Sequence, residues 1–203
     1  MINVGLEFFR PTKVMRQLFV LLSLEGTENV SQHELARKIG VSSSMANNYM
    51  KELVSQGMIT ASGPTNRTMK YAVTTKGSDR LGRLMSMYSR EIARLYSIAK
   101  QEVEKRLVSL FNQGMKRVVL FGAAETGELV YSAAKATPIQ IVGWVDNDSA
   151  KHQVRFGEIQ VTSPALIESF QPDAVLIASS GKTEEIQRQL LPLLAKGIAI
   201  VRL

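Results

Sequence analysis

Two groups of residues have the types and spacing for chemistry. The first is the run GAAETG, made of Gly122, Ala123, Ala124, Glu125, Thr126 and Gly127, directly after the apolar residues 118–121. Gly122 permits a tight turn and Gly127 lets a following helix pack close to a strand. The first N–H groups of that helix are then free to meet a phosphate. Asp146 follows about twenty residues later, at the end of a second apolar run, where a carboxylate can accept hydrogen bonds from ribose hydroxyls. Together these positions have the spacing of a dinucleotide-binding loop. Two residues depart from it. Ala124 stands where the middle glycine belongs, and its methyl crowds an approaching phosphate. Glu125 adds a negative charge beside the anion site.

The second group is Ser43, Ser44, Asn47, Asn48 and Lys51, on the outward side of a helix expected to start after Ser42. These side chains are small and polar over the first two turns, and asparagine pairs bidentately with an adenine edge. Arg67 and Lys70 flank a turn-rich tip, Gly63-Pro64-Thr65-Asn66, where cations reach phosphate or the minor groove. These seven residues form an expected contact surface for double-stranded DNA.

No catalytic group stands out. Tyr131 is the last tyrosine, so no Tyr-x-x-x-Lys pair follows the glycine loop. His152 is the only imidazole after residue 33, and neither His33 nor His152 has metal-ligand neighbours in sequence. Without an acid/base pair or a nucleophile, the chain reads as a non-enzyme.

The elements that must hold these residues follow from periodicity. Residues 12–24 place Val14, Met15, Leu18, Phe19, Leu21 and Leu22 on one wide helical face. Ser31 and Glu34 form a capping box for a second helix, with Gly40 at its C-terminal cap. Ser42 caps a third helix, whose inner face reads Met45, Tyr49 and Leu53 and which ends at Gly57. Two short strands around the Gly63–Asn66 tip complete an α+β winged helix over residues 1–76.

Residues 78–112 hold no proline and carry a heptad seam of Leu81, Met85, Tyr88, Ile92, Leu95 and Ala99, continued by Val103, Leu107 and Leu110. This predicts a long linker helix over 77–115, roughly 50 Å in length, that pairs with its copy in a homodimer. Gly82 weakens its first turns. Residues 116–203 alternate apolar runs with helical segments, with helix expected over 128–136 and in PALIESF and EEIQRQLLPLLAKG. The expected fold there is an α/β Rossmann-like parallel sheet.

Charge separates the halves. Residues 1–116 hold 17 Lys+Arg and 9 Asp+Glu, a net of +8, whereas residues 117–203 hold 8 and 9, a net of −1. A polyanionic partner therefore belongs to the first half. With no cysteine in the chain, disulfides and thiolate metal sites are excluded. The run at residues 18–24 is about a third of a membrane crossing, so no membrane partner and a cytoplasmic location are expected.

The run SQHELARKIGVSSSMANNYMKEL followed by GMI, in the order helix, helix, helix, hairpin, resembles the winged helix of MarR-like transcription regulators over roughly residues 10–76. That resemblance implies DNA binding as a dimer. GAAETG, VDNDSAK and GEIQV are similar to the nucleotide-binding domain of polysaccharide-biosynthesis proteins, including nucleotide-sugar dehydratases. The order of the two halves also resembles redox repressors that sense NADH. These resemblances imply NAD(H) or a nucleotide sugar as the small-molecule partner of a DNA-binding regulator. Three alternatives stand beside that reading: a nucleotide-sugar enzyme with an appended winged helix, a regulator whose Rossmann-like half only docks protein, and a winged-helix scaffold that recognises protein.

Overall fold

The computed structural model describes residues 11–26, 30, 32–63, 69–179 and 181–203. The chain divides into two units, Met1–Ala93 and Arg94–Leu203.

In the first unit, Thr12 opens helix α1 (Lys13–Leu24) by accepting the Met15 N–H at 3.2 Å. Helices α2 (Gln32–Ile39) and α3 (Ser43–Ser55) follow, then strands β1 (Ile59–Ser62) and β2 (Lys70–Val73). The strands pair antiparallel, Ile59 opposite Val73 and Ser62 opposite Lys70. Gly40 (φ +66°) and Gly57 (φ +68°) both take the left-handed conformation that stops a helix. Beyond Gly57, the Met58 N–H returns to the Leu53 carbonyl and the Gly57 N–H to that of Val54. The core joins Leu18, Val20, Leu21 and Leu24 of α1 to Leu35, Ala36 and Ile39 of α2, Ala46, Met50 and Leu53 of α3, and Ile59.

Two sequence expectations are corrected here. The inner face of α3 is Ala46, Met50 and Leu53. Met45 is 40% exposed and Tyr49 only partly buried. Both registers satisfy helical spacing, and the shared core with α1 and α2 selects the second. On α1, Val14 is 45% exposed and Val20 is buried in its place. Ser31 of the expected capping box, and residues 64–68 with the wing tip and Arg67, lie outside the described residues.

Helix α4 (Thr75–Asn112) runs through Gly82 without interruption. A Cβ at Gly82 would meet nothing within 4 Å, so that glycine costs only its propensity. Gly77 is different, because a Cβ there would meet the Met58 carbonyl oxygen and the Val73 side chain. The first turn of α4 is therefore pressed against the base of the hairpin. Leu81 and Leu84 enter the core of the first unit, and Val103 and Leu107 that of the second. Residues 89–99 are exposed on every side, including Ile92, Leu95, Tyr96 and Ile98 at 43–51%.

The second unit is a six-stranded sheet. Strands β3 (Arg117–Phe121), β4 (Gln140–Val145), β5 (Arg155–Phe156), β6 (Ile159–Thr162), β7 (Ala174–Ile177) and β8 (Ala199–Arg202) lie in the order β5-β6-β4-β3-β7-β8. All neighbours are parallel except β5 with β6, so the expected parallel sheet carries one antiparallel edge. The chain starts at the centre with β3, moves out to one side, then returns to place β7 on the other. The order thus reverses between β3 and β7.

Strands β3 and β7 are buried on both faces, which is why they read as unbroken apolar runs. Val118 and Leu120 share a core with Val130 and Ala133 of helix α5 (Glu125–Ala134) and with Val103 and Leu107. Val119 and Phe121 share the other with Ile186 and Leu190 of helix α6 (Thr183–Leu194) and with Ile167. Helix α5 begins three residues before the expected 128, and PALIESF winds as a 3₁₀ helix (Pro164–Phe170). The β3–β4 register shifts between Val118 and Val119. A Cβ at Gly143 would lie within 2.8 Å of the Phe170 ring, so that aromatic packs where only glycine leaves space.

Candidate nucleic-acid interface and loop site

In the first unit the candidate interface is built on α3. Ser42 caps this helix by accepting the Met45 N–H at 3.3 Å, and its hydroxyl lies 2.9 Å from that of Ser44. With Ala46, Met50 and Leu53 turned inward, Ser43, Ser44, Asn48 and Lys51 stand exposed. Asn47 sits on the flank, partly buried. Lys70 is exposed at the start of β2.

Several contacts outside that set hold the helix in place, and residue types alone did not single them out. Glu52 accepts hydrogen bonds from Gln17 at 3.4 Å and Gln56 at 3.2 Å, and pairs with Lys13 at 2.8 Å, tying α3 to α1. The hydrogen bond and charge of Glu52 raise the Lys13 pKa above its ordinary value. At the other end, the Thr74 hydroxyl donates to the Gly57 carbonyl at 2.8 Å and accepts the Gly77 N–H at 3.1 Å. The Lys76 ammonium donates to the Gln56 carbonyl at 2.8 Å, a cation at the negative end of the α3 dipole. The C-terminus of α3 is thus clamped to the first turn of α4.

In the second unit the loop residues lie at the C-terminal edge of the sheet, beside the point where strand order reverses. Gly122 adopts φ +113°, and a Cβ on it would come within 3.2 Å of the Ala178 carbonyl group. Gly127 packs closer still. A Cβ there would lie 2.3 Å from the Gly122 carbonyl oxygen and 2.6 Å from Cζ2 of Trp144. The Trp144 indole N–H donates to the same Gly122 carbonyl at 2.9 Å. Its buried ring stacks on Phe156 with centroids 4.1 Å apart. Both glycines are therefore required by packing behind the loop, before any ligand is considered.

Ala124 precedes the first turn of α5 and contributes no side-chain cap. The N–H groups of Glu125 and Thr126 have no acceptor within the helix, as at any helix start. Glu125 is exposed beside them.

Asp146 is 8% exposed and faces inward. Its Oδ2 accepts the Ala123 N–H at 2.7 Å and lies 3.1 Å from the Lys151 ammonium. Its Oδ1 accepts the Asp148 N–H at 2.8 Å. Burial pushes the carboxyl pKa up, but these two N–H donors and Lys151 outweigh it and hold the group below its ordinary value. Both oxygens of Asp146 are thus engaged within the chain. Next to it, Asn147 and Gln189 exchange two amide hydrogen bonds, 2.9 and 3.1 Å, joining the β4 loop to α6. Among the described residues no cluster of metal-binding side chains occurs, and no helix is long and apolar enough to cross a membrane.

Comparison with known proteins bears on both units. Residues 114–200 match a family described as C2185-like, N-terminal. No curated protein matches the chain. Among solved structures, RV1404 from Mycobacterium tuberculosis is 26% identical over 40% of this chain, with a TM-score of 0.33, and the match spans 56% of that chain. MepR, a transcription regulator of the Staphylococcus aureus efflux pump MepA, is 15% identical over 48% of this chain and 77% of its own, with a TM-score of 0.36. Lactococcus lactis ZitR, solved in complex with DNA, is 16% identical over 49% of this chain and 70% of its own, with a TM-score of 0.37. Residues 20–60 match the family of winged helix-turn-helix DNA-binding domains, and this stretch holds the C-terminal end of α1, all of α2 and α3, and the start of the hairpin. The first unit, with three helices followed by a hairpin, has the element order of a winged helix, in keeping with this match.

Proposed function

We propose that this protein is a homodimeric transcription regulator of the MarR type, with residues 1–76 reading DNA, 77–115 joining two copies and 116–203 forming a Rossmann-like regulatory domain. The observation that carries the reading is the exposed face of α3. Ser43, Ser44, Asn48 and Lys51 project from a helix whose opposite side is locked into a core. Asn47 on its flank, Lys70 at the start of β2, and the basic balance of the first half extend the surface toward phosphates.

Two copies pair along residues 89–99 of α4. An isolated helical stretch of this length is marginal in water, and one with Ile92, Leu95, Tyr96 and Ile98 exposed has a strong drive to be covered. In the second unit, residues 122–127 take a nucleotide-type effector, NAD(H) or a nucleotide sugar, with its phosphate at the first turn of α5. Binding changes the spacing of the two recognition helices and so the affinity for the operator. No chemical step is assigned.

The test is selection and sequencing of genomic fragments bound by the full chain at fixed, near-physiological salt. The expected product is a palindrome with half-sites about one helical turn apart. Recovery of featureless DNA, with binding governed by salt alone, would overturn the regulator.

A further inference from the structure

The arrangement around Asp146 narrows the kind of effector that the second unit takes, and it rests on the regulator reading above. In a dinucleotide-binding loop of this spacing, the acid at the end of the second strand grips the ribose. Here that acid is turned the other way. Its two oxygens accept the N–H groups of Ala123 and Asp148, and Lys151 neutralises it. The neighbouring Asn147 is spent as well, on Gln189. The loop itself is seated on the backbone of Ala178, where a Cβ on Gly122 would come within 3.2 Å of the Ala178 carbonyl group.

We infer that Asp146 is a positioning residue and not a ribose ligand: it acts as the loop's own anion, holding Ala123 in place. The effector is then gripped at its phosphate end and is read without regard to the ribose 2′-hydroxyl.

The proposal is tested on the full chain by two measurements. Calorimetry with ADP against 2′-deoxy-ADP, and UDP against 2′-deoxy-UDP, reads the ribose directly. Each pair is expected to bind alike within about twofold. A tenfold preference for the ribonucleotide that disappears in D146N would overturn the inference. Hydrogen exchange of the Ala123 amide, followed by NMR without any ligand, reads the positioning role. Exchange is expected to be slow in the native chain, at least tenfold faster in D146A, and partly restored in D146N, whose side-chain oxygen can still accept that N–H. Rapid exchange in the native chain would overturn the inference equally. If no nucleotide binds at all, the effector in the proposed function fails, and the exchange experiment alone decides the role of Asp146.

Discussion

At the scale of single residues, the glycine pattern was legible in the sequence, but its meaning was only half legible. Gly122 and Gly127 sit where the spacing put them, at a strand-to-helix turn. The close partners that demand glycine are Ala178, Trp144 and the loop's own carbonyl. Replacing Gly127 by alanine forces a methyl into Trp144 and the Gly122 carbonyl, at a cost of about 1–3 kcal/mol. Thermal unfolding should show that loss, whereas Gly181→Ala, whose added Cβ meets nothing within 4 Å, should leave the melt unchanged.

Asp146 was legible as an acid at a strand end. Its direction was not, because that depends on Lys151 and the Asp148 N–H, both of which lie downstream in a turn. The carboxyl pKa is lowered on folding, so Asp146 stabilises the protein above the unfolded carboxyl value and loses that contribution as pH falls through the folded value. Acid titration of stability should therefore fall less steeply below about pH 4 in D146N than in the native protein. On α3, Asn48→Ala should cost about 1–3 kcal/mol of operator affinity and relax preference at one base pair, while Lys51→Ala should weaken all sequences alike and reduce the salt slope by about one. A binding titration across salt concentrations separates the two.

At the scale of elements, helix ends were easier to read than helix faces. Gly40 and Gly57 stop α2 and α3 because left-handed backbone is open to glycine at little cost, and that rule is local. The face of α3 is not local. Met45, Ala46, Tyr49, Met50, Leu53 and Val54 contain two overlapping helical stripes, and the partner helices choose between them. The seam of α4 shows the same limit. Its ends are claimed by the two cores, through Leu81 and Leu84 and through Val103 and Leu107, so only its middle is left for another chain. Leu95→Glu should turn a dimer into a monomer by sedimentation while leaving the fold intact, since Leu95 is 43% exposed in the single chain. A dimer that persists in that variant would mean that another surface joins the copies.

At the scale of the whole molecule, the charge split divides labour. The half that carries the winged helix has a net charge of +8, and the other half −1. DNA affinity should fall linearly with the logarithm of salt concentration, with a slope set by the basic residues of the first half, and charge-neutralising changes after residue 116 should leave that slope unaltered. The two-part organisation was legible from this split and from the change of period, from helical stripes to short apolar runs. The antiparallel edge at β5 was not, because a two-residue strand has no period to read.

The packing behind the glycine loop has one practical consequence. Trp144 is the only tryptophan in the chain, its ring is buried, and its indole N–H is bonded to the Gly122 carbonyl. The chain's one tryptophan thus lies directly beneath the candidate loop, and the first unit carries tyrosines but no tryptophan. Excitation at the red edge of indole absorption, where tyrosine does not absorb, reports on the loop, unmixed with events at α3. An emission shift on adding a small molecule, with no change on adding DNA, would trace occupancy of the second unit without any label.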